Sequence, residues 1–340
     1  MHKDDIFGPS YFGESQSNGL RTQRKRQTMK KRPIIIDCDP GHDDAVMLML
    51  AIGSDLFDIK AITTSAGNQT QAKTLKNALK IMALTGANIP VYKGADKPLF
   101  RELIIADYVH GEMGMDGPSL PEPTLQPETL SAVEAIAKML TESDEAITLV
   151  PTGPLTNIAT FLLAYPHLKS KIERISIMGG GAFRGNMTPT AEFNIYVDPE
   201  AAAIVFSSGV PITMCGLDVT HKALVFQEDI ERFRSIGNQS GTVVAELMDF
   251  FSIFYRQERP ELNGGAALHD PCAIAWLIDP SLFESKSCFV DVETAGKLTT
   301  GTTVVDFFNV LKKTPNVEFV YDIDREGYLN LIYDAVKKLP

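Results

Sequence analysis

Four aspartates stand within eight residues near the start of the chain: Asp37, Asp39, Asp43 and Asp44. Carboxylates at this spacing repel one another, and a bound cation removes that repulsion. Oxygen ligands favour Ca²⁺ or Mg²⁺ over Zn²⁺, and the sequence has no Cys/His spacing typical of zinc sites. A single aspartate at this place would more simply cap a helix, but four of them around a Pro-Gly turn predict a metal or catalytic site.

More side chains that can bind polar ligands follow later apolar runs: Asn68, Thr152, Asn186, Glu192, Asn194, His269 and Asp270. Basic side chains are scarce among them. Amide and carboxylate groups at one sheet edge suit a neutral substrate or a cation, whereas a phosphate would need basic partners. The pattern therefore predicts a neutral substrate or a cation held by carboxylates.

The elements that must position these residues alternate along the chain. Apolar runs of strand length occupy 33–36, 59–63, 89–92, 146–150, 175–178 and 210–214, and helical patterns occupy 43–52, 71–84, 131–140, 155–163 and 199–207. This alternation predicts an α/β fold with a mainly parallel sheet flanked by helices, in a Rossmann-like arrangement. The carboxyl ends of parallel strands meet at one edge of the sheet, so the polar residues are expected to converge there as the active site.

The chain of 340 residues shows no internal repeat and no clear linker, which predicts a single domain over 29–340. A region richer in helical pattern, at about 220–265, is expected to form a cap. Residues 1–28 are polar and have no period, which predicts a disordered leader or an added extension, with Met29 as the natural start. A basic cluster at 21–32 leaves a targeting or polyanion-binding arm as the alternative.

Charge and cysteine content exclude several classes of partner and location. The formal net charge of −11 makes nucleic acid a poor partner, because an acidic surface repels the phosphate backbone. No apolar run approaches the ~18 residues of a membrane-spanning helix, so no membrane partner is expected. The four cysteines form no Cys-x-x-Cys pair, which predicts reduced thiols and a cytoplasmic location.

One enzyme class that fits the aspartate cluster is the metal-dependent Asp-x-Asp phosphohydrolase of the haloacid dehalogenase type. In that class the first aspartate, here Asp37, is a nucleophile and Mg²⁺ is the cofactor. The class places threonine or valine two residues after the second aspartate, where this chain has Gly41. It also needs basic groups for the phosphate, and the strand ends offer amides instead.

A second class matches in more detail. Six blocks resemble, in order, those of the calcium-dependent nucleoside hydrolases, the inosine–uridine-preferring family, over about residues 33–338. The blocks are 37–45 (DCDPGHDDA), 64–68 (TSAGN), 150–157 (VPTGPLTN), 178–181 (MGGG), 190–194 (TAEFN) and 269–271 (HDP). Any one block would be weak, but six in order are specific. The resemblance implies hydrolysis of the N-glycosidic bond of ribonucleosides to ribose and free base, a reaction of nucleoside salvage.

The resemblance also implies roles at the metal. It assigns Ca²⁺ to the carboxylates of Asp39, Asp44 and Asp270 and to the backbone carbonyl of Thr152. Asp39 is implied as the general base that takes a proton from a water on the ion, and attack at C1′ would pass through an oxocarbenium-like transition state. A hard cation acidifies a bound water, and a carboxylate within hydrogen-bond reach can accept its proton, so the implied chemistry is consistent.

Substrate residues are implied in the same way. The ribose would be held by five polar side chains: Asp43, Asn68, Asn186, Glu192 and Asn194. Met178 and Phe193 would line the substrate site, His110 would line the base pocket, and His269 would help the base to depart. Phe183, Phe254 and Tyr255 are further candidates for the base pocket, although core packing explains them equally well. The other histidines of the body, His42, His167 and His221, are predicted to be structural.

The predicted partner is thus a small-molecule ribonucleoside, and the resemblance implies a homo-oligomer, either a dimer or a tetramer. The residues do not decide which base is preferred. The Asp-x-Asp phosphohydrolase and a non-catalytic nucleoside binder of the same fold remain the alternatives at this point.

Overall fold

The computed structural model describes residues 30–340, and the predicted leader at 1–28 lies outside the described residues. The chain from Lys31 to Pro340 forms one compact unit. Within it, the strands of the main sheet are β1 Arg32–Cys38, β2 Phe57–Thr64, β3 Val91–Lys93, β4 Glu128–Ser131, β5 Ile147–Pro151, β6 Ile172–Met178, β7 Ile212–Cys215, β10 Phe283–Val292, β11 Thr303–Asp306 and β12 Val317–Ile323. Two short strands, β8 Leu224–Val225 and β9 Ala266–Ala267, pair separately.

The ten strands follow the order β11-β10-β12-β7-β6-β5-β1-β2-β3-β4. Every neighbouring pair is parallel except the two that involve β10, which runs antiparallel to β11 and β12. The predicted α/β fold with a mainly parallel sheet is therefore confirmed. The antiparallel edge was not predicted from the sequence.

Helices cover both faces of the sheet. They are α1 His42–Ser54, α2 Gln71–Thr85, α3 Asp107–His110, α4 Ala132–Glu142, α5 Thr156–Ala164, α6 Phe193–Val197, α7 Pro199–Phe206, α8 Leu217–Thr220, α9 Gln227–Arg234, α10 Gln239–Glu258, α11 Pro271–Ile278 and α12 Arg325–Val336. Three short 3₁₀ helices lie at Pro166–Lys171, Pro260–Leu262 and Pro280–Leu282. The predicted strands and helices fall within a few residues of the observed ones.

The first strand shows why the sheet needs two helical layers. Ile34 and Ile36 pack into the core formed with α1, α2 and α10–α12, whereas Ile35 packs into the opposite core formed with α4, α5 and α7. Successive side chains of a strand point to opposite faces, so an unbroken apolar run is buried on both sides. Because β1 lies between β5 and β2 inside the sheet, its carboxyl end lies near the middle of the edge where the polar residues were predicted to converge.

The region at 220–265, predicted as a helical cap, consists mainly of α9 and α10. α10 brings Phe251 and Tyr255 to the cavity at the carboxyl ends of the strands. Among residues 30–340, no helix is both long enough and apolar enough to cross a membrane.

Candidate active site

The turn between β1 and α1 is held by its own aspartates. Oδ1 of Asp37 accepts hydrogen bonds from Thr63 Oγ1 (2.5 Å) and Asn157 Nδ2 (2.8 Å), which tie β1 to β2 and to the start of α5. At the start of α1, the backbone N–H of Gly41 donates to Oδ2 of Asp44 (2.9 Å). The same sequence that predicts a tight turn therefore fixes the carboxylates in place.

Three carboxylates converge below the sheet edge. Asp43, Asp44 and Asp270 are buried, and they offer oxygens that all lie within 4.8 Å of one another. Asp44 also accepts hydrogen bonds from Asn68 Nδ2 (3.0 Å) and Thr152 Oγ1 (3.1 Å). The resemblance names Asp39 in the metal set, whereas the tightest group among the described residues contains Asp43 instead.

Asp39 lies beside this group and is completely buried. Its Oδ2 accepts the backbone N–H of Asn68 (2.6 Å), but its Oδ1 has no hydrogen-bond partner among the described residues. A methyl group at Gly67 or at Gly153 would overlap the Asp39 carboxylate, so both glycines are needed for this close approach. A buried carboxylate oxygen without a partner is costly, and a cation or a water is the ordinary ligand for it.

Burial and mutual repulsion oppose ionisation of these acids. Burial, and then the charge of Asp44, raise the pKa of Asp43 to about 8. Burial likewise raises the pKa values of Asp39 and Asp270 well above the ordinary range, and the neighbouring carboxylates add to the rise. A divalent cation would reverse these shifts because it favours the ionised forms. The all-oxygen donor set and the unpartnered oxygen of Asp39 fit such an ion.

A second group of polar side chains lies at the start of α6. Asn194 Nδ2 donates to the backbone carbonyl of Thr152 (2.8 Å) and to that of Met178 (3.3 Å). Glu192 caps α6, and its carboxylate accepts the backbone N–H groups of Asn194 (3.0 Å) and Gly180 (2.9 Å). Burial raises the pKa of Glu192 to about 7. These bonds bring the ends of β5 and β6 together with α6.

His269 is buried between two hydroxyl groups. Its Nε2 lies 2.6 Å from the Tyr255 hydroxyl and its Nδ1 lies 2.7 Å from Thr220 Oγ1. Burial lowers the pKa of His269 well below its usual range, and the neighbouring His221 and Arg259 act in the same direction. The two contacts hold the His269 ring in a fixed orientation at the cavity wall.

His110, the last residue of α3, packs against the turn between β1 and α1. Its ring stacks on His42, and its Nδ1 lies 3.2 Å from Nδ1 of His42 and 3.3 Å from the His42 backbone nitrogen. His42 itself stacks on Phe250 and Phe251 of α10. His42 therefore packs between α10 and His110 of α3, next to the turn between β1 and α1.

These groups surround one cavity of about 650 Å³, counted with the open space at its mouth. All the residues predicted to bind substrate line it: Asp43, Asn68, His110, Met178, Asn186, Glu192, Phe193 and Asn194. Thr152, His269 and Asp270 also line it, whereas Asp39 and Asp44 are buried behind the wall.

The other residues of the cavity wall differ in part from those predicted from the sequence. Phe254 and Tyr255 border the cavity, but Phe183, also a candidate for the base pocket, is 64% exposed, packs edge-on against Phe307 and does not line it. His221, predicted to be structural, lines the cavity. Sequence reasoning missed several wall residues: Ala106, Tyr108, Val109, Phe251 and Arg259. The wall residues in or next to α3 and α10 belong to no sequence motif. They reach the cavity only because these two helices pack over the edge of the sheet.

Comparisons with known proteins agree with this geometry. The family model described as "Inosine-uridine preferring nucleoside hydrolase" matches residues 34–330. Over 306 residues, 90% of this chain and 98% of each relative, the chain is 58% identical to "Pyrimidine-specific ribonucleoside hydrolase RihA" of Photobacterium profundum and 57% identical to the protein of that name from Escherichia coli (strain K12).

A solved structure gives the same result for the fold. "Purine-Preferring Ribonucleoside Hydrolase from Gardnerella vaginalis" superposes with a TM-score of 0.84 at 32% identity, covering 90% of this chain and 98% of that one. The resemblance drawn from the six sequence blocks is therefore confirmed, and the phosphohydrolase alternative is not supported. The chain belongs to the inosine-uridine preferring nucleoside hydrolase family and is an enzyme that hydrolyses the N-glycosidic bond of ribonucleosides.

Proposed function

We propose that this enzyme acts on pyrimidine ribonucleosides and uses Ca²⁺ at the aspartate cluster. The observation that carries the proposal is the convergence of Asp43, Asp44 and Asp270 beneath a cavity lined by every residue predicted to bind substrate. The names of the two relatives at 57–58% identity support the pyrimidine preference. A donor set made only of oxygens supports calcium, which accepts six to eight such ligands.

Asp39, Asp44, Asp270 and the carbonyl of Thr152 would hold the cation. When bound, a calcium ion in this place would orient the attacking water and the ribose hydroxyls and lower the pKa of that water. Asp39, with one buried oxygen that lacks a partner, would accept the proton of the water. The carboxylates of Asp43 and Glu192 would favour the positive charge that develops on the sugar as the bond to the base breaks.

The amides would hold the ribose in place. Asn194 is oriented by its bonds to the carbonyls of Thr152 and Met178, and Asn68 by its bond to Asp44. The Asn186 side chain accepts the backbone N–H of Phe193 (2.9 Å), which fixes the loop that closes this side of the cavity. Such pre-oriented groups reduce the ordering that substrate binding must supply.

A panel of nucleosides tests the proposal. Uridine and cytidine should release ribose at least about tenfold faster than inosine or adenosine, a ratio within reach of pocket contacts alone. Uridine monophosphate should not be cleaved, because an acidic cavity repels its phosphate. Reducing-sugar release measures all of these reactions. Equal rates on uridine and inosine would contradict the pyrimidine preference, and cleavage of p-nitrophenyl phosphate without ribose release would contradict the whole proposal.

His269 is proposed to assist departure of the base, together with the Tyr255 hydroxyl that contacts it. If a histidine proton helps a purine more than a pyrimidine to leave, His269→Ala should reduce turnover of inosine more than turnover of uridine. Comparison of kcat for both substrates measures this difference. Equal losses would assign the histidine a positioning role instead.

We further propose that the enzyme is a homo-oligomer, either a dimer or a tetramer, and that it is located in the cytoplasm. Exposed apolar side chains near the β11 edge support self-association, since Phe308 and Val310 are 76% and 75% exposed. All four cysteines are free and buried, which suits a reducing compartment. Light scattering on the preparation used for the panel gives the mass, and a value near 37.3 kDa would contradict the oligomer.

A further inference from the structure

Arg259 is the one positively charged side chain among the described residues that line the cavity. It follows the last residue of α10, and its side chain is 24% exposed. Its Nη2 donates to the backbone carbonyl of Asn186 (2.7 Å), while its Nη1 lies 3.8 Å from a carboxylate oxygen of Glu261. The first bond orients the guanidinium against the wall of the cavity.

The guanidinium lies on the aromatic side of the cavity. Arg259 also borders a neighbouring groove together with Tyr108 and Phe254, and neither Asp43, Glu192 nor Asp270 borders that groove. The rings of Tyr108 and Phe254 are 6.0 Å apart. Aromatic walls suit a planar base, whereas the carboxylates and amides suit the ribose. The charge of Arg259 is therefore placed at the side where a nucleobase would sit.

The electrostatic influence of Arg259 on neighbouring groups agrees with this placement. Burial and then the charges of Arg184 and Arg259 lower the pKa of His221 to about 4. At Tyr108, burial raises the pKa of the hydroxyl and the charge of Arg259 opposes that rise. The positive charge of Arg259 therefore acts on two side chains of the cavity wall, His221 and Tyr108.

We propose that Arg259 is a further catalytic residue of this reaction, whose guanidinium contacts the departing pyrimidine and stabilises the negative charge that the base acquires. The inference rests on the proposed pyrimidine ribonucleoside substrate. It assigns to the residue that follows α10 an electrostatic role in leaving-group departure, opposite in sign to the carboxylates around the sugar. Planar N–H groups of arginine match the carbonyl oxygens of a pyrimidine better than a lysine would.

The bond changes balance without another reactant. The C1′–N1 bond breaks, and its electron pair stays with the pyrimidine, where it spreads over the ring and the carbonyl oxygens that face Arg259. The oxygen of water forms the new bond to C1′, and its proton passes to Asp39 and then to solvent. The released base takes one proton from solvent, so ribonucleoside and water give ribose and free base.

A leaving-group series tests this role. Arg259→Gln should lower kcat on uridine by about 10- to 100-fold, as expected for loss of a charge-assisted contact in the transition state. On 5-fluorouridine and 5-bromouridine, whose bases are more acidic and need less stabilisation, the loss should shrink by at least about threefold. Arg259→Lys keeps the charge without the planar fork and should lie between wild type and Arg259→Gln.

Arg256→Gln is the matched control, because Arg256 is exposed in α10 three residues before Arg259 and lines neither the cavity nor the neighbouring groove. It should leave kcat and the leaving-group dependence unchanged. Two results would overturn the proposal: an equal fall in kcat of Arg259→Gln on all three uridines, or a rise in KM with kcat unchanged. Either result would leave Arg259 as a residue that only supports the loop at Asn186. If Arg259→Gln does not fold, the leaving-group dependence of Arg259→Lys decides in the same way. Wild-type turnover of uridine tests the substrate separately, so the two failures are distinguishable.

Discussion

Asp39→Asn should lower kcat on uridine by about three orders of magnitude or more while leaving the fold intact. General-base catalysis contributes typically 10²–10⁴-fold, and loss of a charged metal ligand adds to the effect. The variant changes one oxygen of a carboxylate that is completely buried behind the cavity wall.

The structure explains why the fold should survive. The backbone N–H of Asn68 donates to Oδ2 of Asp39, and an asparagine can offer its carbonyl oxygen to the same donor. The other oxygen, Oδ1, has no partner among residues 30–340, so an NH₂ group there breaks no bond within the protein. The expected defect therefore lies in proton transfer and cation binding rather than in packing.

Steady-state kinetics with a thermal melt of each variant measures this outcome. Asp144→Asn is a suitable control, because Asp144 is exposed in the turn before β5 and lies outside the cavity wall. Turnover of Asp39→Asn within tenfold of wild type would remove Asp39 from the role of general base. A large fall in Tm would instead show that the loss of activity came from unfolding.

The sheet edge could be predicted from the sequence because its strands are apolar runs that end in polar residues. β1 and β6 are buried on both faces, so their composition marks them without any knowledge of neighbours. Asn68, Glu192 and Asn194 could then be placed at the same edge, because parallel strands end together. Their roles came from the resemblance, since an isolated asparagine is usually a turn residue.

The carboxy-terminal strands could not be predicted in the same way. β10 has exposed residues at four successive positions, Glu284 to Ser287, and shows neither an apolar run nor a strict alternation. It forms its ladder with β12, more than 25 residues later in the chain, and such pairing leaves no local signal. Arg259 escaped prediction for a related reason, since α10 reaches the cavity through tertiary packing alone.

The glycine run at 179–181 shows a different limit. A run of glycines allows a close approach of the backbone to neighbouring groups. In the structure, Gly180 has a φ of +75°, and an added Cβ would overlap the side chains of Met214 and Thr303. The need for glycine at this position is therefore explained by backbone conformation and packing. Its backbone N–H also helps to hold the Glu192 carboxylate.

Removal of divalent cations should abolish ribose release and lower Tm, because four buried aspartates would lose the charge that balances them. Burial raises the pKa values of Asp39, Asp43, Asp44 and Asp270, so each ionised carboxylate is costly without a cation. A ligand that binds only the folded state at 100 times its Kd adds about 2.7 kcal/mol to the free energy of unfolding. For a chain of this size that corresponds to a rise in Tm of about 4 °C.

The experiment compares chelator-treated enzyme before and after addition of Ca²⁺, with both ribose release and Tm as readouts. Ca²⁺ should restore both, and Mg²⁺ should restore less, because it demands a tighter octahedral shell than this spread of carboxylates suggests. Asp44→Asn should lose most of the calcium-dependent rise in Tm, whereas the exposed Asp144→Asn should keep it. Full activity in protein shown by elemental analysis to hold no metal would contradict the cation requirement. A rise in Tm with Ca²⁺ that persists in Asp44→Asn would place the ion elsewhere, since Asp44 contacts Asn68 and Thr152 at the centre of the proposed site.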